Sequence, residues 1–402
     1  MESNRTLRYL TFALLYFTQG TILGYFASLN ALYLLDRGLN MTSVGIFGAI
    51  ALIPFVIKIF LGMLSDRVNL LGMGHRKPYI LIGLAVQTLT LLAVPAVDPG
   101  KKFWLFVGLA FLLQLGMALY DTCTDGLALD TTPEAEQGRI QGFMVGGRAI
   151  GTIVAASMVG LLAQKVGWSS VFYTLAALTL LPLPLVLRVR EPQREAAQRF
   201  EWQAFSAFKH WPVVASGLFG LVVFLVIVGG NQLINPFLTQ ELGINLAQAG
   251  MVTSLWGVGI VLGSILGAVL LKRGKDLRGT LAMMALVSLS LALLAVLVRP
   301  AVPLAAAIGL VVFFGLAYGS AQTVVFALCM RFVDARIAAS MFAILMAFTN
   351  VGQGIGMALG GKLADGMGFG TTLLIFAAIM ALGLPFLPAL FRRREGDAGV
   401  DA

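Results

Sequence analysis

Twelve apolar runs, each long enough to cross a bilayer, follow one another along this chain. They fall at about 7–35, 43–65, 78–97, 103–130, 139–164, 169–188, 212–239, 247–271, 279–298, 303–330, 337–363 and 369–391. A hydrocarbon core roughly 30 Å thick takes about 20 helical residues, and a run of about 18 already marks a candidate span. Inside lipid every backbone N–H and C=O must be paired within the protein, which makes helices of runs this long. A water-soluble core cannot hide so much apolar surface. Of 402 residues, 58% are hydrophobic and 12% charged, against about 25% charged in soluble domains. The fold class is therefore an all-α membrane protein with twelve transmembrane helices.

The formal net charge of +9 invites a nucleic-acid reading, and its distribution argues against one. Twenty of the 28 Lys and Arg residues fall in the termini and in alternate connections, from Arg5 and Arg8 to Arg392, Arg393 and Arg394. Six fall on the other side: Arg37, Lys101, Lys102, Lys165, Arg299 and Lys362. The positive-inside rule then places both termini in the cytoplasm, in keeping with an even number of spans. Anionic lipid, not nucleic acid, is the expected partner of the basic loops. The first run is too long for a signal h-region and is expected to remain as an anchor. Cys123 and Cys329 both lie inside spans, so neither a disulfide framework nor a metal-ligand spacing is present.

The longest polar interruption, Arg188 to Lys209, splits the spans six and six. The expected organisation is a bundle over 1–188, a cytoplasmic linker over 189–210, a second bundle over 211–391 and a tail over 392–402. An interfacial amphipathic piece is expected around Phe200 to Phe208. The halves look related. Tyr120 precedes Arg139-Ile140 by 19 residues, and Tyr318 precedes Arg336-Ile337 by 18. Glycines recur in both following spans, Gly142, Gly146, Gly147 and Gly151 in one and Gly352, Gly354, Gly356 and Gly360 in the other. Small residues so spaced let membrane helices approach closely.

Four charged residues lie deep within spans: Lys58, Asp121, Asp125 and Arg148. A carboxylate at the centre of a span costs about 2.5–3.5 kcal/mol on insertion scales, so such groups generally serve a purpose. At a 1.5 Å rise, Lys58 lies about 12 Å from the Asp66 end of its span, with Asp121 and Arg148 roughly 13–14 Å in. These three share a layer of the first half. Asp125 sits one turn nearer the cytoplasm on the same helix face as Asp121. Three readings fit the group. Lys58 pairs with one aspartate and Arg148 with the other as structural locks; or the aspartates form a proton or cation site; or Lys58 and Arg148 meet an anionic substrate.

The second half lacks counterpart acids: Gly319 and Thr323 stand at the positions matching Asp121 and Asp125. Its candidates for a cavity wall are neutral, namely Asn231, Gln232 and Asn235 in span seven, Gln322 and Thr323 in span ten, and Asn350 and Gln353 in span eleven. Tyr16, Thr18 and Gln19 in span one complete the set. For any one of these an interhelical hydrogen bond of about 0.6 kcal/mol is the plainer role. Gly229, Gly230 and Pro236 suggest a hinge in span seven, and Pro54 another in span two. His75 and His210 fall in or beside loops, away from the charged layer.

Two loops carry a resemblance. Gly62-Met63-Leu64-Ser65-Asp66-Arg67 followed by Gly74-His75-Arg76-Lys77-Pro78 resembles the Gly-x-Leu-x-Asp-Arg…Gly-Arg-Arg signature of the major facilitator superfamily, stretched by Val68 to Met73. The second-half loop, Gly267 to Lys275, keeps the basic residues without the acid. Pro133-Glu134-Ala135-Glu136-Gln137-Gly138-Arg139 is similar to the Pro-Glu-x-x-x-Gly-Arg connection of the same superfamily. The resemblance implies two pseudo-symmetric six-helix bundles and a cytoplasmic latch of Gly62, Asp66, Arg67, Asp130 and Arg139. In it, Asp66 would cap a helix end of the other half and Arg67 would pair with Asp130. Asp121-x-x-x-Asp125-Gly126 also resembles a segment of the muropeptide permease and acetyl-coenzyme A transporter branch, with Tyr120 where that branch has Gln. Arg148 matches an arginine that the branch often carries in span five.

The expectation is a secondary active transporter in the inner membrane, moving a small organic solute, with an anionic one preferred, and coupled to protons or another cation through Asp121 and Asp125. The alternatives are an efflux pump for amphipathic compounds or a membrane assembly factor that does not transport. No nucleotide-binding loop or nucleophile–base arrangement appears, so neither an enzyme nor a primary pump is expected. No cofactor or metal is expected, and a monomer suffices.

Overall fold

The computed structural model describes residues 5–72, 74–189, 191, 209–271, 276–332 and 338–391. Twelve helices are long and apolar enough to cross a membrane. Spans one to six are Arg5–Ser28, Met41–Ser65, Lys77–Ala96, Phe103–Ala128, Arg139–Lys165 and Trp168–Leu187. Spans seven to twelve are Trp211–Leu242, Leu246–Leu270, Asp276–Leu297, Leu304–Arg331, Met341–Met367 and Phe369–Phe391. Both ends of the described chain lie on one side, here termed the terminal face; the opposite side is the far face. The expected linker falls mostly, and the tail entirely, outside the described residues, as do the piece around Phe200 to Phe208 and Arg336-Ile337.

The same close packing recurs in each half. Span one lies along span five, and span seven along span eleven. A Cβ added at Gly151 would strike the Phe17 carbonyl of span one, and one at Gly356 the Leu225 carbonyl of span seven. Four of the recurring glycines, Gly147, Gly151, Gly352 and Gly356, are thus places where two helix backbones touch. The charged layer and the cavity described below are built on these rigid pairs.

Between halves, contact concentrates on the far-face side. The Asp365 carboxylate of span eleven accepts hydrogen bonds from the backbone N–H groups of Met41 (3.0 Å) and Thr42 (2.6 Å) and from the Thr42 hydroxyl (2.6 Å). It caps the start of span two from the other bundle, where an acid is favoured by unpaired N–H groups and the helix dipole. Nearby, a Cβ on Gly45 would strike the Met357 carbonyl, and one on Gly361 the Met41 carbonyl. Spans five and eight meet through the hydroxyls of Ser157 and Ser254, 2.7 Å apart. Among the described residues, the cross-half hydrogen bonds reach toward the terminal face only as far as Ser254 to the Ile153 carbonyl and Asn350 to the Phe55 carbonyl. Beyond them Gly142 and Gly146 of span five face open space. Among the described residues, the bundles are clasped by hydrogen bonds at the far face and not at the terminal face. Removing the clasp in Asp365→Ala costs a cap of about 1 kcal/mol. A cysteine introduced near the far-face end of span two should then label about fivefold faster; unchanged labelling would refute the clasp.

Span two is two helices, Met41–Ala51 and Ile53–Arg67, with Pro54 in the first turn of the second. The break expected at Pro54 is present. Span seven shows no such break. It runs as one helix from Trp211 to Leu242 with Pro236 inside it. The proline removes one helical hydrogen bond. Just before the proline, Gln232 Nε2 donates to the Met357 carbonyl (3.1 Å) and Asn235 Nδ2 to the Ser28 carbonyl (2.6 Å). These anchors tie the segment to span eleven and to the end of span one.

Candidate functional site

The charged layer assembles on spans one, two and four. Asp121 is buried and accepts from Gln19 Nε2 at 2.6 Å. Lys58 Nζ lies 3.4 Å from its other oxygen. Asp125, one turn away, accepts from the Tyr16 hydroxyl. Of the three readings of the charged layer, the pairing of Arg148 with an aspartate is not made: among the described residues neither Arg148 nor Asp125 makes an ion pair. Depth placed Arg148 in the layer, but pairing also needs the right helix rotation, and its side chain is exposed toward the centre. It remains within electrostatic reach of Asp125, Tyr16, Tyr120 and Tyr318.

A cavity of about 560 Å³ lies between the halves, within the range that holds small organic ligands. Arg148 stands in its wall with Asn231, Gln232, Asn235, Gln322, Thr323 and Gln353, all six of them expected there. Tyr16, Gln19 and Asn350 are not in that wall. Tyr16 and Gln19 hold the two carboxylates instead, and Thr18 donates to the Leu178 carbonyl at 3.2 Å. Asn350 ties span eleven to the Phe55 carbonyl at 3.0 Å, just past the break in span two, and accepts from Gln353 at 2.9 Å.

Several wall residues escaped the sequence reading: Asn30, Gln114, Trp256 and Tyr318. Gln114 had a usable signal, since it precedes Asp121 by two helical turns on the same face. Asn30 lies just past span one, opening a short helix Asn30–Asp36. The Trp256 ring meets Tyr318 edge-on at 5.2 Å.

The terminal-face contacts also differ in detail. Arg76, not Arg67, stands beside Asp130, with Nε at 3.5 Å and Nη1 donating to Ser65 Oγ at 2.7 Å. Arg76 is buried and Arg67 exposed, because the six inserted residues carry the second basic cluster back under span four. The Asp66 side chain lies outside what the structure describes, and the Arg139 side chain is exposed. Gly62 gives span two close access to Thr122 of span four. Glu191, unremarked in the sequence, caps span three through the N–H groups of His75 (2.7 Å), Arg76 (2.8 Å) and Lys77. Glu136 gathers Tyr9 at 2.9 Å, Arg5 at 3.1 Å and Arg8. The Tyr9 hydrogen bond, helped by the two cations and opposed by desolvation, holds the Glu136 carboxyl below its ordinary range. Among the described residues no group of His, Cys, Asp and Glu side chains could hold a metal ion.

Two bundles around a central cavity with a buried charged layer define a membrane carrier. The Major Facilitator Superfamily model matches residues 9–341 and 219–402, and the chain belongs to that superfamily. The anhydromuropeptide permease of Escherichia coli K12 is 24% identical over 371 residues, covering 87% of this chain and 73% of that protein. The sialic acid transporter NanX of the same organism is 23% identical over 239 residues, 57% of this chain and 56% of that one. In fold, the chain is similar to the inward-facing, unoccupied bacterial homolog of the human lysosomal transporter Spinster. That match has a TM-score of 0.76 at 15% identity and covers 96% and 98% of the two chains. The nucleoside transporter NupG matches with a TM-score of 0.76 at 17% identity, covering 97% and 100%. The chain is a multi-pass membrane transporter of small solutes rather than an enzyme.

Proposed function

We propose that this protein is a secondary active transporter that carries a small organic anion across the inner membrane by alternating access. The observation that carries the reading is Arg148, a guanidinium without an ion pair among the described residues, in the wall of a ligand-sized cavity between two bundles. A guanidinium so placed suits a carboxylate or phosphate, with two parallel hydrogen bonds available. The names of the relatives, an anhydromuropeptide permease and a sialic acid transporter, are compatible with an organic solute of this kind. The bias of basic loops supports a cytoplasmic terminal face, so the clasped far face makes this an inward-facing conformer.

Coupling falls to Asp125 more than to Asp121. Asp121 is balanced by Lys58, whereas Asp125 has only a neutral hydroxyl, so a proton there breaks no salt bridge. A proton on Asp125 and an anion on Arg148 each cancel the charge that the other leaves uncompensated, which links their binding. The test is a thermal-shift screen for ligands, then uptake by proteoliposomes with and without an inside-alkaline pH gradient. Asp125→Asn should bind the ligand yet lose accumulation driven by the gradient. Unchanged pH dependence in Asp125→Asn would sink the coupling claim. Export of amphipathic compounds is the second reading, favoured by apolar wall residues such as Phe26, Ile260 and Phe326. Ligands that are neutral amphiphiles, indifferent to Arg148→Gln, would select it. Any uptake by the purified protein excludes an assembly factor without transport activity.

A further inference from the structure

The far-face clasp is built twice, and its two copies differ in charge. Gly38-Leu39-Asn40-Met41-Thr42-Ser43-Val44-Gly45 opens span two, and Gly243-Ile244-Asn245-Leu246-Ala247-Gln248-Ala249-Gly250 opens span eight. Both segments begin on a glycine at positive φ, 78° and 62°. In both, the asparagine caps its helix by accepting from the N–H three residues on, at 2.9 Å each. The partner spans match as well: Gly160-Leu161-Leu162-Ala163-Gln164 lies at the end of span five and Gly361-Lys362-Leu363-Ala364-Asp365 at the end of span eleven. The contacts follow the same two-fold rule. A Cβ on Gly361 would strike the Met41 carbonyl and one on Gly160 the Leu246 carbonyl; Gly45 meets Met357 as Gly250 meets Ala156. Asp365 accepts from the Thr42 N–H, and Gln164 Oε1 from the N–H of the matching residue, Ala247, at 3.2 Å.

One frame thus carries different chemistry on its two seams. The seam of spans two and eleven is held by a carboxylate, with a backbone N–H on each oxygen and the Thr42 hydroxyl besides. The seam of spans five and eight is held by the Gln164 amide, the Ser157–Ser254 hydroxyl pair and the Ser254 bond to the Ile153 carbonyl, none of which titrates. A proton on Asp365 has to take an oxygen that already faces an N–H, and an N–H cannot accept it. It also removes the negative charge that the start of span two favours. Asp365 is exposed, so the proton can arrive from the far-face solution. The other charged side chains near the far-face ends of the elements packed there are Lys362 on its own helix, Asp36 and Arg37 ahead of span two, Asp98, Lys101 and Lys102 ahead of span four, and Glu241 at the end of span seven. Among the described residues none of them forms an ion pair with Asp365.

We propose that the far face is closed by an acid-operated latch: a proton on Asp365 parts the seam of spans two and eleven, while the uncharged seam of spans five and eight stays shut as the hinge. Acidity on the far side thereby favours the form that accepts solute from that side. The latch rests on the alternating-access reading and is independent of Asp125 as the coupling site.

The test measures spin-label distances across each seam, by double electron–electron resonance, in the full-length protein in liposomes. Cys123 and Cys329 are replaced by alanine, and Asp125→Asn removes the response of the coupling site. Lys101→Cys with Gly366→Cys reads the seam of spans two and eleven, and Arg299→Cys with Lys165→Cys the seam of spans five and eight. Between about pH 7.5 and about pH 4, a range that carboxylates in general titrate across, the long-distance population of the first pair should rise about fivefold. That is the factor one lost helix cap is worth. The second pair should stay fixed. Asp365→Asn should widen the first seam at neutral pH and abolish its acid response, and Asp365→Glu should keep that response. A first pair indifferent to pH, a second pair that widens as much as the first, or an acid response that persists in Asp365→Asn would overturn the latch alone. Both pairs remaining fixed even in Gly361→Leu, which overpacks the same seam, would overturn the alternating-access reading with it.

Discussion

Arg148→Gln is expected to raise KM for an anionic solute by about 10- to 100-fold in proteoliposomes while leaving the protein folded. The size follows from losing a charge-assisted hydrogen bond worth about 1.5–3 kcal/mol. The folding expectation follows from the structure. Among the described residues the guanidinium has no ion pair to lose, and the helix contact at this position is made by its backbone against Gly20. Arg148→Lys should fall between, since an ammonium restores the charge but not the planar pair of donors. A comparison with Lys58→Gln sharpens the point. Lys58 sits 3.4 Å from the buried Asp121 carboxylate, and removing it leaves that charge unpaired, so Lys58→Gln should lower thermal stability. The prediction fails if Arg148→Gln transports the anion with unchanged KM, or if both variants lose stability equally.

Gly361→Leu should trap the carrier open at the far face. A side chain there has to displace the Met41 carbonyl, and Gly45 one helix away has no spare room against Met357. Overpacking of this kind costs about 1–3 kcal/mol, all of it in the clasped state, because spans two and eleven belong to different bundles. By population shift the far-face-open form gains about 5- to 150-fold. A cysteine at Thr42, beside the Asp365 cap, would then react with an impermeant maleimide at an elevated rate, and net uptake would fall. Gly151→Leu is the control. Its collision, with the Phe17 carbonyl, lies inside one bundle, so it should lower stability without favouring either open face. Equal Thr42→Cys labelling in wild type and Gly361→Leu would refute the assignment.

What the sequence disclosed and what it withheld follow a physical line. Hydropathy and loop charge report on position along the membrane normal, so the twelve spans and the shared depth of Lys58 and Asp121 were readable. Rotation about each helix axis was not. Arg148 has the right depth to meet an aspartate but turns into the cavity, and Tyr16 and Gln19 turn away from it toward the carboxylates. The break at Pro54 was legible, whereas Pro236 sits in a continuous helix held by Gln232 and Asn235. Asp365 and Glu191 were invisible because each caps a helix remote in sequence, and a lone acid at a loop edge carries no mark of its partner. Arg76 displaced Arg67 beside Asp130 because the inserted loop residues reset the register of the motif.

The confinement of buried charge to the first bundle has an electrical consequence. With Lys58 balanced by Asp121, the movable layer reduces to Asp125 and Arg148, which sum to zero when empty. With one proton and one monoanion aboard they again sum to zero. A net charge crossing the field would contribute about 2.3 kcal/mol per 100 mV, and under the proposed exchange of one proton and one monoanion neither the loaded nor the empty carrier presents one. Uptake of a monoanion should therefore respond to an imposed pH gradient and ignore a potassium diffusion potential set with valinomycin. A dianion would reverse that indifference, making an inside-negative membrane voltage a brake on its import.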